Sequence, residues 1–363
     1  MFLLALACTY LFFIEYLPPV RLVHISYDLE GYHFPLANYA FQQLKQGHWP
    51  QWDPSIYSGM SFAANVQSAF YYPGTWLMYL ATWGREQLSY QSLADLNLLH
   101  VPLAFTLCFV WLRQKGLRDM ASVLGALVYA YSGYMCEQLQ HFGLVVAYAW
   151  LPLAWLGVDQ AEREGSWKPL WKVAVASALA FLGGYPPTWL VVAVVVGVYT
   201  VVSPGRWPTV AGVFGALVFS LALCGVQLLP TWDATHFREP ELRYGIGVKD
   251  PMFYLSYLVP NYFDFAIDVP PDRNFGKQYM YLGAPGILGV LLALWSRRWR
   301  AILPGLAVVA VSLIIAINPY AIVWDSIKFS SLLSDIVRSG YFLAGVTPGC
   351  ALLAAIGLDV FLG

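Results

Sequence analysis

The chain has 363 residues, of which 59% are hydrophobic and 11% charged. Soluble domains carry about 25% charged residues, so this composition argues against a soluble enzyme and excludes intrinsic disorder. Twenty Lys and Arg against 21 Asp and Glu give a net charge of −1, which leaves no bulk charge to hold nucleic acid.

What remains is an all-α polytopic membrane protein. A bilayer core of roughly 30 Å needs about 20 apolar residues per helix. Runs that approach this length lie near 1–18, 91–112, 119–136, 142–159, 169–184, 186–203, 208–229, 278–296, 301–318 and 341–361. They predict about ten spans in a single domain covering 1–363. The first run contains Ala5-Leu6-Ala7-Cys8, a weak echo of a lipoprotein cleavage site. No basic residue precedes it, so it reads as a span. Residues 34–46 predict a short helix along the outer surface. The aromatic-rich patch 68–84 is short and Gly-interrupted, which predicts an interfacial or re-entrant segment. Gly183-Gly184-Tyr185-Pro186-Pro187 reads as a tight turn between spans.

Basic residues set the expected orientation. Arg113, Lys115 and Arg118, then Arg163, Lys168 and Lys172, then Arg206, then Arg297, Arg298 and Arg300 fall in four short connections. They are ten of the twenty Lys and Arg, and positive charge in short loops marks the cytoplasmic side. Long polar connections near 19–90, 230–277 and 319–340 then face outside. They are rich in Trp, Tyr, Phe and Pro, residues that sit at headgroup level. Cys8, Cys108, Cys136, Cys224 and Cys350 have no metal-ligand spacing and read as small core residues. Neither a Gly-x-Gly-x-x-Gly nor a phosphate-loop motif occurs. Any chemistry therefore takes its energy from a substrate reaching the outer face or from a lipid-linked one.

The first external loop opens His24-Ile25-Ser26-Tyr27-Asp28-Leu29-Glu30. In an extended backbone, residues two apart point to one side. Asp28 and Glu30 would then converge on a substrate hydroxyl as general base, or on Mg²⁺ or Mn²⁺. The plainer alternative is two solvated acids. His141 lies where the third run returns into the fourth, and suits either a phosphate or sugar hydroxyl or an interhelix hydrogen bond. Arg338 stands beside the outer mouth of the last run, as a phosphate partner or a headgroup anchor. Arg238, Arg243, Arg273 and Lys277 are weaker versions of the same choice. Asp95, Asn97 and His100 fall in the outer half of the second run. Trp49, Trp52 and Tyr57 are candidates to stack on a sugar face.

The loop continues Gly47-His48-Trp49-Pro50-Gln51-Trp52-Asp53-Pro54, then Gly59, Asn65-Val66-Gln67 and Tyr71-Tyr72-Pro73. With Asp28 ahead of it, this order resembles the YfhO-like bacterial membrane proteins of the GT-C glycosyltransferase superfamily. Ser132-Gly133, His141, Trp150-Leu151-Pro152-Leu153, Tyr281-Leu282-Gly283 and Arg338 extend the likeness along the chain. Ser339-Gly340-Tyr341-Phe342 departs from it, because the family often has a Pro and a second basic residue there. Family members are also usually longer, which fits a short form or a piece of a longer protein.

The resemblance implies a GT-C-like bundle in the bacterial plasma (inner) membrane with an external active site. It implies transfer of a sugar from a polyprenyl-phosphate donor to a cell-envelope glycan or lipid acceptor. Asp28 matches the family's catalytic carboxylate, whereas Glu30 rests on geometry alone. Asn65, Gln67, Trp52 and Tyr57 lie in the matching loop as substrate-binding candidates, with His141 and Arg338 toward the donor phosphate. Two other classes compete. A transporter or flippase of a lipid-linked glycan would carry charges deep in its spans and repeated halves. A non-catalytic scaffold derived from the enzyme would tolerate loss of Asp28.

Overall fold

The computed structural model describes residues 1–56, 58–203, 207–236, 255–260, 280–317 and 339–363. Helices account for nearly all of its regular structure. They are α1 (Phe2–Phe12), α2 (Phe34–Lys45), α3 (Pro73–Thr82), α4 (Tyr90–Gln114), α5 (Asp119–Ala130), α6 (Gly133–Gln138), α7 (Phe142–Glu164), α8 (Trp171–Leu182), α9 (Pro186–Val202), α10 (Trp207–Leu223), α11 (Gly225–Thr235), α12 (Ala284–Trp295), α13 (Trp299–Ile317) and α14 (Val346–Phe361). A two-residue antiparallel ladder, β1 (Trp52–Asp53) with β2 (Met60–Ser61), pins the tip of the first long connection.

Every predicted apolar run contains a helix, so the chain is an all-α membrane protein. Among the described residues four helices are long and apolar enough to cross a bilayer: 90–114, 142–164, 299–316 and 340–361. A fifth arises if α10 and α11, bent by 75° across Cys224, act together. The remaining runs give shorter helices for local reasons. α1 gives way at Phe13 to a 3-10 turn, Ile14–Tyr16. The third run breaks at Tyr131, and Ser132 caps a new turn by accepting a bond from the Met135 N–H. α5 and α8 have 12 residues each, about 18 Å at 1.5 Å per residue. The patch around α3 is a ten-residue helix, also too short to span. The helix predicted at 34–46 is α2.

Two helices form the centre. Most of α7 and of the 340–361 helix is buried (78% and 83%), against 33% of α13. α7 packs on α4 and α8, and α14 on α5, α12 and α13. Small residues permit these approaches, as is usual between membrane helices. A Cβ on Gly289 would stand 2.8 Å from the Ala354 backbone, and one on Gly349 2.8 Å from the Gly305 carbonyl. All five cysteines are free thiols.

The basic connections that carry Arg113–Arg118 and Arg163–Lys172 gather at one end. Arg163 donates to the Gln114 carbonyl (3.1 Å), and the Arg118 N–H donates to Asp359 (2.9 Å). Inside this end Asp159 accepts from Trp111 Nε1 (2.8 Å), from Tyr199 Oη (2.8 Å) and from Lys115 Nζ (3.1 Å). The opposite end carries the first long connection.

Candidate functional site

At that opposite end the chain leaves α1 through a short 3-10 turn, Ile14–Tyr16, and runs without regular structure through Ile25–Ser26. Tyr27 then turns it with φ +61°. Asp28 is already helical (φ −63°, ψ −31°) and leads into a π-helical turn, Leu29–His33. The extended reading of this segment is therefore corrected. Residues two apart in a helical turn face different directions, and the two carboxylates take different partners. Asp28 Oδ2 lies 3.4 Å from His141 Nε2. Glu30 Oε2 lies 3.3 Å from His24 Nε2. A shared ion between Asp28 and Glu30 does not follow from this geometry. Among the described residues no three His, Cys, Asp or Glu side chains gather to hold a metal.

His141 precedes α7, and Gln138 ends α6. The His141 Nδ1–H donates to Gln138 Oε1 (2.9 Å), which turns Nε2 toward Asp28. With Nδ1 carrying that proton, Nε2 has a hydrogen to offer only in the imidazolium. The Asp28–His141 contact is thus a charge-assisted bond when His141 is protonated.

His33 closes the group, five residues beyond Asp28 on the π-turn. Its Nδ1–H donates to the Gln67 carbonyl (3.2 Å), and its ring lies 6.3 Å from that of Phe142. Burial lowers its pKa to about 4. The hydrogen bond to Gln67 and the charge of Asp28 pull it up, and His141 pushes it further down. His33 is therefore neutral near pH 7 and feels both members of the pair. Sequence reasoning missed it because a strand reading puts Asp28 and His33 on opposite faces. A π-turn is the signal that brings residues five apart together.

Asn65 and Gln67 stand next to this group with local structural tasks. Asn65 Oδ1 accepts from the Gln67 N–H (3.1 Å) and caps the short helical turn Val66–Ser68. Its Nδ2 donates to Tyr32 Oη (3.4 Å). The Gly184 turn rests on the same segment. Its φ is +105°, and a Cβ there would come within 3.2 Å of the Val66 carbonyl. Trp52 lies further out, 57% exposed. Its indole covers Gly59 so closely that a Cβ at that position would fall 2.7 Å from the ring. Tyr57 and Arg338 lie outside the described residues, as do Arg238, Arg243, Arg273 and Lys277.

Beneath the group runs a buried relay. Trp150 Nε1 donates to Tyr72 Oη (3.0 Å), which bonds His100 Nε2 (2.7 Å), while His100 Nδ1 donates to the Leu96 carbonyl (2.9 Å). Desolvation raises the Tyr72 pKa and keeps its phenol protonated. Phe142 contacts both rings, 6.0 Å from Tyr72 and 5.8 Å from His100. This relay fixes the floor on which His33 and His141 sit.

The arrangement places a half-exposed carboxylate against an oriented imidazole, with a neutral imidazole nearby. It can take a proton from a hydroxyl and offer a cation to an anion. No protein-family model and no curated protein matches the chain.

Proposed function

We propose that the chain is a membrane glycosyltransferase of GT-C type, with about ten spans and its active site on the external face of the bacterial plasma membrane. Asp28 takes the proton of an acceptor hydroxyl as that oxygen attacks the anomeric carbon of a polyprenyl-phosphate sugar. The bond from that carbon to the phosphate oxygen breaks, and polyprenyl phosphate leaves with the electron pair. His141 holds Asp28 in place and, as imidazolium, shares the leaving phosphate's charge with Arg338. The observation that carries this reading is the Asp28–His141 contact of 3.4 Å, at the end of the bundle away from the basic connections. A general base needs such placement within reach of solvent and acceptor.

The aspartates of α4 and α7 also favour chemistry at the surface over passage through the bundle. Asp95 lies in the second turn of α4 and Asp159 in the last two turns of α7, so neither marks a mid-membrane path.

The test is sugar transfer by purified protein in nanodiscs, using radiolabelled polyprenyl-phosphate hexoses. Wild type should transfer at least one of them, and Asp28→Asn should not, with donor binding kept. An EDTA arm asks whether Mg²⁺ or Mn²⁺ takes part through Asp28 or Glu30 singly. Donor binding without transfer by the wild type would overturn the enzyme reading in favour of the transporter or scaffold.

A further inference from the structure

A cavity of about 400 Å³ lies between the chain leaving α1 and the outer part of α4. Small-molecule sites span about 300–1,000 Å³. Its polar walls come from Tyr16, Arg21, His24, Glu30, Tyr90 and Gln91. Asp28 and His141 are not among its walls, so it is distinct from the pair described above.

The walls are held in place before any ligand arrives. Arg21 Nη2 donates to both carboxylate oxygens of Asp95 (2.7 and 3.1 Å). Tyr90 Oη donates to the Ile25 carbonyl. Together they tie residues 21–25 to α4.

Charge decides what fits. Arg21 has Asp95 and His24 has Glu30. The one permanent cation, Arg21, is already paired with Asp95, and His24 stands against the Glu30 carboxylate, so nothing remains to offset stripping a phosphate of water. What the cavity does offer is donors and acceptors in mixed order: guanidinium and imidazole N–H, carboxylate oxygens, a side-chain amide and phenols. A hydroxyl both donates and accepts, so a ring bearing several hydroxyls answers such a wall. Leu98 adds an apolar face for ring C–H groups.

We propose that this cavity is a saccharide site that takes a neutral hexose ring. It goes beyond the transfer reaction, since a chain that moved no sugar would still hold one here.

Saturation-transfer difference NMR on the protein in lipid nanodiscs reads binding without catalysis. The probes are methyl β-D-gluco-, galacto- and mannopyranoside, with inorganic phosphate alongside. At least one hexoside should give a saturable signal. Glu30→Gln and Gln91→Leu should each weaken it about tenfold, the worth of one hydrogen bond to a charged or well-placed group. Both variants should keep the wild-type melting temperature, Gln91 being exposed on the α4 surface. Absence of saturable binding by all three hexosides overturns the proposal. Binding untouched by either substitution, or binding of phosphate in place of the hexosides, overturns it equally.

Discussion

Two aspartates at opposite ends of the bundle show how differently one side chain can be used. Asp159 is 16% exposed and receives Trp111, Tyr199 and Lys115. Its two oxygens are bonded on every side the fold offers. Asp28 is 57% exposed and, among the described residues, faces one partner at 3.4 Å. A carboxylate with its lone pairs filled is a joint between helices. A carboxylate left with spare lone pairs beside solvent can accept a proton from something that arrives.

The sharpest way to break this contrast is to change each aspartate and read both activity and stability. Asp28→Asn should lower transfer by about 10²–10⁴-fold, the range for loss of a general base, with thermal unfolding unchanged. A falling melting temperature with transfer intact would make Asp28 a joint as well. Asp159→Ala should do the reverse. It strands Lys115 in a partly buried site and should cost about 3 kcal/mol, seen as a lower melting temperature in nanodiscs.

His141→Gln keeps a polar group beside Asp28 but removes the ring that can take up a positive charge. Transfer should fall about tenfold, with the loss greatest at the acidic end of the pH profile, where the imidazolium is present. A uniform loss at all pH values would mean that His141 only fills space. The smallest effect should come from His33. Its pKa is lowered from 6.5 to about 4 in the fold, so the unfolded chain binds the proton more readily. The stability it contributes is complete above pH 6.5 and is lost as pH falls toward about 4. His33→Gln should flatten that part of the stability curve, measured by thermal unfolding between pH 7 and 4.

The apolar runs were readable from composition alone, because hydropathy reports burial whether the surroundings are lipid or protein. Their helix lengths were not. The break at Ser132 comes with a hydrogen bond to Met135, and α11, beyond the 75° elbow at Cys224, bonds a loop far away in the chain. The Asp28–His141 contact spans 113 residues, and no local pattern could announce it. The pairing of Asp28 with Glu30 failed for a more local reason. Tyr27 at φ +61° turns the chain, and the π-turn that follows sends the two acids to different neighbours. Sequence put Asn65 and Gln67 on the same long connection as Asp28. It could not tell that Asn65 is committed to capping and that Gln67 serves His33 through its backbone carbonyl.

The elbow between α10 and α11 also bears on how the protein is made. Gln227 Nε2 donates to the Ala63 carbonyl (3.0 Å), and Thr231 Oγ1 to the Ala64 carbonyl (3.0 Å). The first of these bonds joins residues 164 positions apart. At synthesis rates of about 5–20 residues per second, the loop bearing the proposed base waits roughly 8–30 s for its brace. During that interval the Ala63 and Ala64 carbonyls have no α11 side chains to bond. The nascent loop is then a natural client for whatever guards newly inserted membrane proteins, and damage to α11 should be felt at the other end of the gene.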